Sequence, residues 1–518
     1  MKRTVVVVLT LCLLVAACGD DGGDGSTTTA ESTTTTFPPY PDGFVVEYME
    51  GCTQEGSEVF CRCSIDEFQQ RMSLTDFLSL EEELLAHPIS SEVIRICLLA
   101  EEAVGTTTTT TTVPDFQSIG NMDELIDLTV ADLEVFWGLE LPRVWGLELE
   151  PVATHAPYFV SLGERPECFG PIQNYEYNAF YCPEDDSIRW DVENLMGPLF
   201  EGYGDFAVAL VMAHEWAHAI QNRYGFDWFA HDDIVSELQA DCLAGAWTQW
   251  LDDERSELLR LEPGDLEEGM SAFLLIGDEL GTVPTGPNAH GTSFERLNSF
   301  FDGFQGGVDA CATYEAEYPL MISWNLVHDT LDLPYEVAAE VLIDALEIFW
   351  SIVYPETFGE PWVPVSEVIA YFPSTGSLPA CGGVDLSQDF YQDNIFYCPS
   401  DDSVAWDEEN LFPTLYSEIG DFALGLLLGM QWSQAVQTRA GLETSGVAAE
   451  LQADCFVGVW TAALTFDDNP MEVWLSTGDL EEGISAFLLF SDPETGASAF
   501  QRFEAFKTGP LDGIDACV

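Results

Sequence analysis

The sequence predicts an α+β fold, mostly helical with a small sheet, that occurs twice in tandem behind a small cysteine-rich helical domain. Repetition is the first sign of this. "AFYCPEDDSIRWDVENL" at 179–195 returns as "IFYCPSDDSVAWDEENL" at 395–411, and "SELQADCLAGAW" at 236–247 as "AELQADCFVGVW" at 449–460. "GDLEEGMSAFLL" at 264–275 returns as "GDLEEGISAFLL" at 478–489. Offsets between matching segments stay between 206 and 216, which marks one duplicated domain of roughly 200 residues rather than a solenoid. The second sign is periodicity: "GDFAVALVMAHEWAHAIQNRYG" repeats its apolar positions at helical spacing and ends at Gly225, whereas "YFVSL" at 158–162 and "SIRWD" at 187–191 alternate as strands do. Cysteine grouping is the third.

Taken in order, residues 1–17 form a leader with a basic start and a short apolar run, too short to span a bilayer. Its end, Val15-Ala16-Ala17-Cys18, resembles the bacterial lipobox, which implies cleavage before Cys18 and a lipid on its sulfur; plain secretion is the alternative. Residues 18–39 read as a disordered Thr/Gly/Asp-rich tether. Residues 40–104 form the small cysteine-rich helical domain, with too little core to stand without disulfides. A Thr-rich linker at 105–115 follows, a bare spacer or a carrier of O-linked sugar. The first copy occupies 116–320 and the second 321–518, and contact between the two in cis is expected.

Of the 14 cysteines, Cys12 lies in the leader and Cys18 is the expected lipid-bearing residue just after it, leaving three groups of four. They are Cys52, Cys61, Cys63, Cys97; then Cys168, Cys182, Cys242, Cys311; then Cys381, Cys398, Cys455, Cys517. Even groups point to disulfides and an oxidising compartment. Four cysteines allow three pairings; joining near neighbours gives Cys168–Cys182 and Cys242–Cys311. With 91 acidic against 15 basic residues the formal charge is -76, which repels nucleic acid and anionic headgroups. The location expected is therefore extracytoplasmic, with membrane contact only through the lipid on Cys18.

The chemistry concentrates in "VMAHEWAHAIQ" at 211–221. Four residues apart on a helix, His214 and His218 project from one face and can share one zinc at about 2.0–2.1 Å. Glu215 points some 100° away, which suits a base acting on a water beside the metal. Two neutral ligands are too few, so a third is needed. Glu237 on the next helix is placed to supply it, and Asp241, one turn on, to accept the free N–H of a histidine. The second copy keeps Glu450 and Asp454 but carries Met430, Gln431 and Gln434 in place of His214, Glu215 and His218. "ELQADC" must therefore also have a structural use, and the second copy should fold without hydrolysing.

The ordered set "FYCPEDDSIRWD", "GDFAVALVMAHEWAHAIQ", "ELQADCLAGAW" and "HGTSFER…FFDGF…C", over about 130–311, resembles the bacterial neutral zinc metallopeptidases on the zincin fold. The resemblance implies His214, His218 and Glu237 as zinc ligands and Glu215 as catalytic base, a gluzincin-type hydrolase. Where the family commonly has HEYGHH or HEVGHH, this chain has "HEWAHA", with Trp216, Ala217 and Ala219 altering the helix surface and sparing every ligand. The expectation is a lipid-anchored peptidase with one zinc per chain, acting on a peptide or protein substrate through a zinc-activated water. His290, absent from the matching "GASAFQR", is the first candidate to stabilise the oxyanion; His231 and Tyr224 come next. The alternative is a non-catalytic cell-envelope binding or structural protein on the same scaffold.

Overall fold

The computed structural model describes residue 65 and residues 119–170, 175–278, 282, 286, 289–316, 332–376, 378–384, 386–491 and 496–518. The leader, Cys18, the tether, the 105–115 linker and the cysteine-rich unit with Cys52, Cys61, Cys63 and Cys97 lie outside the described residues, Ile65 apart. The boundary between copies near 320 lies outside them too. The chain divides into two units, Met1–Val113 with Glu134–Leu149, and Pro114–Leu133 with Glu150–Val518. Of the first, Ile65 and residues 134–149 are described, among them the end of helix α1 (Met122–Trp145), where Arg143 pairs with Glu140 at 2.6 Å. Everything below belongs to the second.

In the first copy three short strands, β1 (Thr154–Tyr158), β2 (Ala179–Cys182) and β3 (Ser187–Asp191), form a sheet of order β1-β3-β2. β1 runs parallel to β3, with Thr154 opposite Ser187, and β2 runs antiparallel, with Ala179 opposite Trp190. "SIRWD" is thus a strand as read, but "YFVSL" is not. Only Tyr158 belongs to β1, and Val160–Leu162 is a 3-10 turn closed by left-handed Gly163. The alternation there misleads because burial does not follow it: Leu162 is 72% exposed.

The helices follow as α2 (Gly197–Gly202), α3 (Asp205–Tyr224), α4 (Asp233–Asp252), α5 (Asp265–Ile276) and α6 (Ser293–Cys311). Gly225 ends α3 in the left-handed conformation, as its position after the last apolar residue predicts. The second copy repeats the order: α7 (Tyr335–Phe358), β4 (Glu367–Tyr371), β5 (Ile395–Cys398), β6 (Ser403–Asp407), α8 (Leu411–Glu418), α9 (Asp421–Ala440), α10 (Val447–Ala463), α11 (Asp479–Phe490), α12 (Ala499–Asp512) and α13 (Ile514–Cys517). Its sheet has the same order, β4-β6-β5. The mostly helical α+β class holds.

Repeated residues turn out to do repeated structural work. Asp191 accepts from the backbone of Glu193 and Asn194 and from Asn194 Nδ2, and Asp407 does the same for Glu409 and Asn410. Phe206 stacks on Trp247 at 6.3 Å and Phe422 on Trp460 at 6.2 Å, fixing α3 on α4 and α9 on α10. α4 and α6 meet backbone to backbone: a Cβ on Gly245 would lie 1.9 Å from Phe300 O, and one on Gly303 1.7 Å from Cys242 O. Gly458 and Gly509 play the same part against α12 and α10. Disulfides Cys168–Cys182, Cys242–Cys311, Cys381–Cys398 and Cys455–Cys517 join near neighbours in each copy.

Helix α6 also packs on its counterpart α12. Phe301 stacks on Phe500 at 4.2 Å, Phe294 meets Phe503 edge-on at 5.4 Å, and Lys507 Nζ sits 4.9 Å over the Phe301 ring. Gln305 Nε2 donates to Glu504 Oε1 at 2.6 Å. In the 206-residue register of "HGTSFER" and "GASAFQR", Phe301 corresponds to Lys507, so equivalent positions face one another, as they do near a two-fold axis.

Candidate metal centre

Helix α3 supplies His214, Glu215 and His218, α4 supplies Glu237 and Asp241, and α6 supplies Arg296. The packing of α4 between α3 and α6 turns these side chains inward. His214 Nδ1 lies 2.7 Å from Asp241 Oδ1. Arg296 grips the same carboxylate from the other side, Nε to Oδ2 at 2.8 Å and Nη2 to Oδ1 at 2.9 Å. Asp241 is thereby held ionised, and His214 must donate its Nδ1 proton to it, which bares the lone pair on Nε2.

The tautomer of His218 follows from a second chain of bonds. Gln221 Nε2 donates to Ser236 O at 2.7 Å and to Gln239 Oε1 at 2.9 Å. Its Oε1 is therefore left to accept from His218 Nδ1, 2.8 Å away, which bares Nε2 of that ring as well. The two Nε2 atoms converge to 3.1 Å. Glu237 Oε2 stands 3.2 Å from His214 Nε2, and Oε1 3.5 Å from His218 Nε2.

These separations fit a tetrahedral ion. Donors at about 2.0–2.1 Å from zinc are spaced about 3.3 Å along each tetrahedron edge. Electrostatics agree. Burial disfavours a charge on His214, but Asp241 and Glu237 outweigh it and push its pKa up to about 10. His218 is raised on the same balance, burial against Glu237. Burial would raise Glu237, yet His218 and His214 hold it well below the carboxylate range, and Asp241 is lowered against burial by Arg296 and His214. Two carboxylates among two rings amount to a cavity that attracts positive charge, and an N2O donor set with tetrahedral spacing suits zinc.

Glu215, 6% exposed, offers an Oε2 with no hydrogen-bond partner among the described residues. It opens on a cleft of about 1220 Å³ that also takes in His214, His218, Glu237, Arg296 and His290. Edge strand β2 lines the cleft, and the exposed rings of Tyr177, Trp228 and Phe229 rim it. His290 sits on this cleft with Nδ1 3.4 Å from Asp278 Oδ1 and its backbone N–H bonded to Oδ2. Tyr224 and His231 are not among the residues lining it. Tyr224 donates to Gln239, and His231 lies beside Phe226 and Glu315.

Sequence reasoning assigned no role to Arg296 or Gln221, though both recur as Arg502 and Gln437. The second copy explains what is shared. Arg502 binds Asp454 through Nε and Nη2, each at 2.9 Å, and its Nη2 lies 3.0 Å from Met430 Sδ, where His214 would stand. Gln239 and Gln452 each donate to the carbonyl of a disulfide cysteine, Cys311 and Cys517, which is the structural use of "ELQADC". Glu450 instead accepts from Ala497 N at 3.0 Å. Without a histidine partner, burial raises Asp454 to about 6 despite Arg502. Among the described residues no metal-binding group forms around Met430, Gln431 and Gln434.

A family model described as "Putative neutral zinc metallopeptidase" matches residues 172–314 and 391–494, one segment in each copy. Among curated proteins, the uncharacterized protein YpfJ of Escherichia coli K12 is 33% identical over 221 residues, covering 38% of this chain and 73% of the relative. The uncharacterized proteins Rv2575 of Mycobacterium tuberculosis and Mb2605 of Mycobacterium bovis are each 30% identical over 171 residues, 28% of this chain and 58% of theirs. No solved structure matches.

Proposed function

The chain belongs to the neutral zinc metallopeptidase family, and from that premise we propose that its first copy hydrolyses peptide bonds while its second does not. The observation that carries this reading is the convergence of three donor atoms, from His214, His218 and Glu237, beside the buried, unpartnered carboxylate oxygen of Glu215. His214, His218 and Glu237 would hold a zinc ion, whose Lewis acidity would polarise a peptide carbonyl and lower the pKa of water toward about 7. Glu215 takes the proton of the attacking water and returns it to the leaving amine. His290, on the same cleft, donates to the oxyanion. Asp241 and Gln221 fix the two ring orientations.

Edge strand β2 supports an extended peptide as substrate, since an unpaired strand edge offers backbone groups to a second strand. The Tyr177, Trp228 and Phe229 rim supports a preference for apolar side chains. The leader ending just before Cys18 and the four disulfides support a lipid-anchored, extracytoplasmic protein. Among the described residues no helix is long and apolar enough to cross a membrane.

The test is zinc content together with turnover. The purified chain should hold one zinc, not two. Glu215→Ala should keep that zinc and lose cleavage of an unfolded polypeptide by about 10²–10⁴-fold. Turnover by the variant equal to wild type would overturn the assignment.

A further inference from the structure

We propose that each copy binds one calcium ion in a carboxylate cluster apart from the zinc site, formed by Asp205, Asp265 and Glu268 in the first and by Asp332, Asp421, Asp479 and Glu482 in the second. One oxygen from each member lies within 4.8 Å of the others in its cluster. Asp205 and Asp265 open α3 and α5, and Asp421 and Asp479 open α9 and α11. Three positions therefore recur in the same places, within the repeated "GDFA" and "GDLEEG". The second copy carries Met430, Gln431 and Gln434 where the first has His214, Glu215 and His218, yet keeps these acids, so whatever they serve does not depend on those three residues.

Carboxylates gather at helix starts for ordinary reasons, and proximity alone would carry nothing. The decisive feature is a buried oxygen in each cluster that no donor satisfies. Asp265 is 0% exposed and its Oδ1 has no hydrogen-bond partner among the described residues; Asp421, 5% exposed, has the same at its Oδ1. A buried acceptor left bare is destabilising, and beside two or three further carboxylates it is more so, unless a cation or a proton meets it.

The surroundings hold the acids in a fixed fan. Glu262 N donates to Asp265 Oδ2 at 2.9 Å and Phe206 N to Glu268 Oε2 at 3.0 Å. Ser476 N donates to Asp479 Oδ2 at 2.8 Å, and Phe422 N to Glu482 Oε2 at 2.8 Å. Leu333 N donates to Asp421 Oδ2 at 2.8 Å. Asp265 and Asp421 each have one oxygen engaged by backbone and the other without a partner among the described residues, whereas both oxygens of Asp479 accept from Ser476, from its N–H and its Oγ. A Cβ on Gly204 would fall 2.0 Å from the Glu268 carboxyl carbon, and one on Gly420 1.9 Å from Glu482 Oε1, so glycine before each helix is what admits the glutamate.

An all-oxygen donor set with this much negative charge selects a hard divalent cation. Calcium, which takes about 6–8 oxygens and tolerates irregular geometry with water completing its shell, suits three or four carboxylates better than magnesium does. The competing occupant is a proton: burial first, then mutual repulsion, pushes Asp265 and Glu482 up to about 8 and Glu268 and Asp479 to about 7.

The experiment titrates calcium chloride into the full chain, stripped of metal and reloaded with one equivalent of zinc, near neutral pH. Calorimetry should count two calcium ions per chain, and the thermal midpoint should rise with calcium up to about 5 mM. D479N/E482Q should leave one ion, and D265N/E268Q should leave the other. If either double variant fails to fold, the single variants E482Q and E268Q should each weaken calcium affinity at one of the two sites and leave the other as in the wild type. No saturable binding in the wild type, with an unmoved midpoint, overturns the proposal in favour of shared protons. Binding that ignores all four variants overturns it in favour of a diffuse acidic surface.

Discussion

Replacing Asp241 by asparagine separates what its carboxylate does for the metal from what it does for the fold. Both oxygens take bonds from Arg296, at 2.8 and 2.9 Å, and Oδ1 also takes the His214 proton at 2.7 Å. Neutralising it strips the Arg296 guanidinium, 3% exposed, of the carboxylate it is paired with. Breaking a buried pair in this way costs about 3–5 kcal/mol, and asparagine, which keeps one acceptor oxygen, belongs near the lower figure. The effect on zinc is distinct. Loss of the group that orients a histidine ligand weakens metal affinity about 10–100-fold, or about 1.4–2.8 kcal/mol. The second copy supplies the control, because D454N strands Arg502 from two equivalent bonds, both 2.9 Å, with no histidine in reach. Urea unfolding of the zinc-free chain should show comparable losses for both variants. Competition with a chromogenic chelator should show weakened zinc binding for D241N alone. Wild-type zinc affinity in D241N, or an equal loss in D454N, would refute the reasoning.

Two further outcomes follow from the core. Phe500, 3% exposed, stacks on Phe301 and meets Phe300 and Phe304 edge-on, so F500A should destabilise the chain by about 3–5 kcal/mol while zinc content stays at wild type. A loss under about 1 kcal/mol in urea titrations would mean that the two copies do not depend on this contact. Asp132 is pushed up to about 6 by burial, against the pull of bonds from Ser256 and Trp247. A folded value above the unfolded one of about 3.9 means the folded chain keeps a proton the unfolded chain releases. Its stabilising contribution is complete below about pH 4 and is lost as pH rises through 6, about 3 kcal/mol in all. D132N should lack that decline when unfolding free energy is measured across the range, and a profile parallel to wild type would count against it.

What could be read from the sequence was whatever is local or repeated. Helix α3 was legible because His214 and His218 sit four residues apart on it and Gly225 closes it. The strand at 187–191 was legible because its apolar members Ile188 and Trp190 alternate with Arg189 and are both buried, and "YFVSL" was not because Leu162 alternates and yet faces solvent. Asp241 could be placed beside His214 because one turn of α4 separates it from Glu237. Arg296 could not, since its partner is 55 residues away and only the meeting of α4 and α6 at Gly245 and Gly303 joins them. The carboxylate clusters share this origin: "GDFA" and "GDLEEG" were recognisable as repeats, but their convergence is a property of packed helices.

The contact between α6 and α12 bears on why the second copy persists. Helix α6 carries Arg296 on one side and the Phe294 and Phe301 rings on another, and those rings are covered by the duplicate. With Phe301 facing its own counterpart at Lys507, the arrangement is that of a symmetric dimer whose halves now share one polypeptide. In such a fusion, mutation can silence one centre freely, provided the buttress it lends its twin is kept. On the proposed reading, selection would then act on the second copy as a lining for the first, preserving its aromatic seam although it carries no counterpart of His214 and His218.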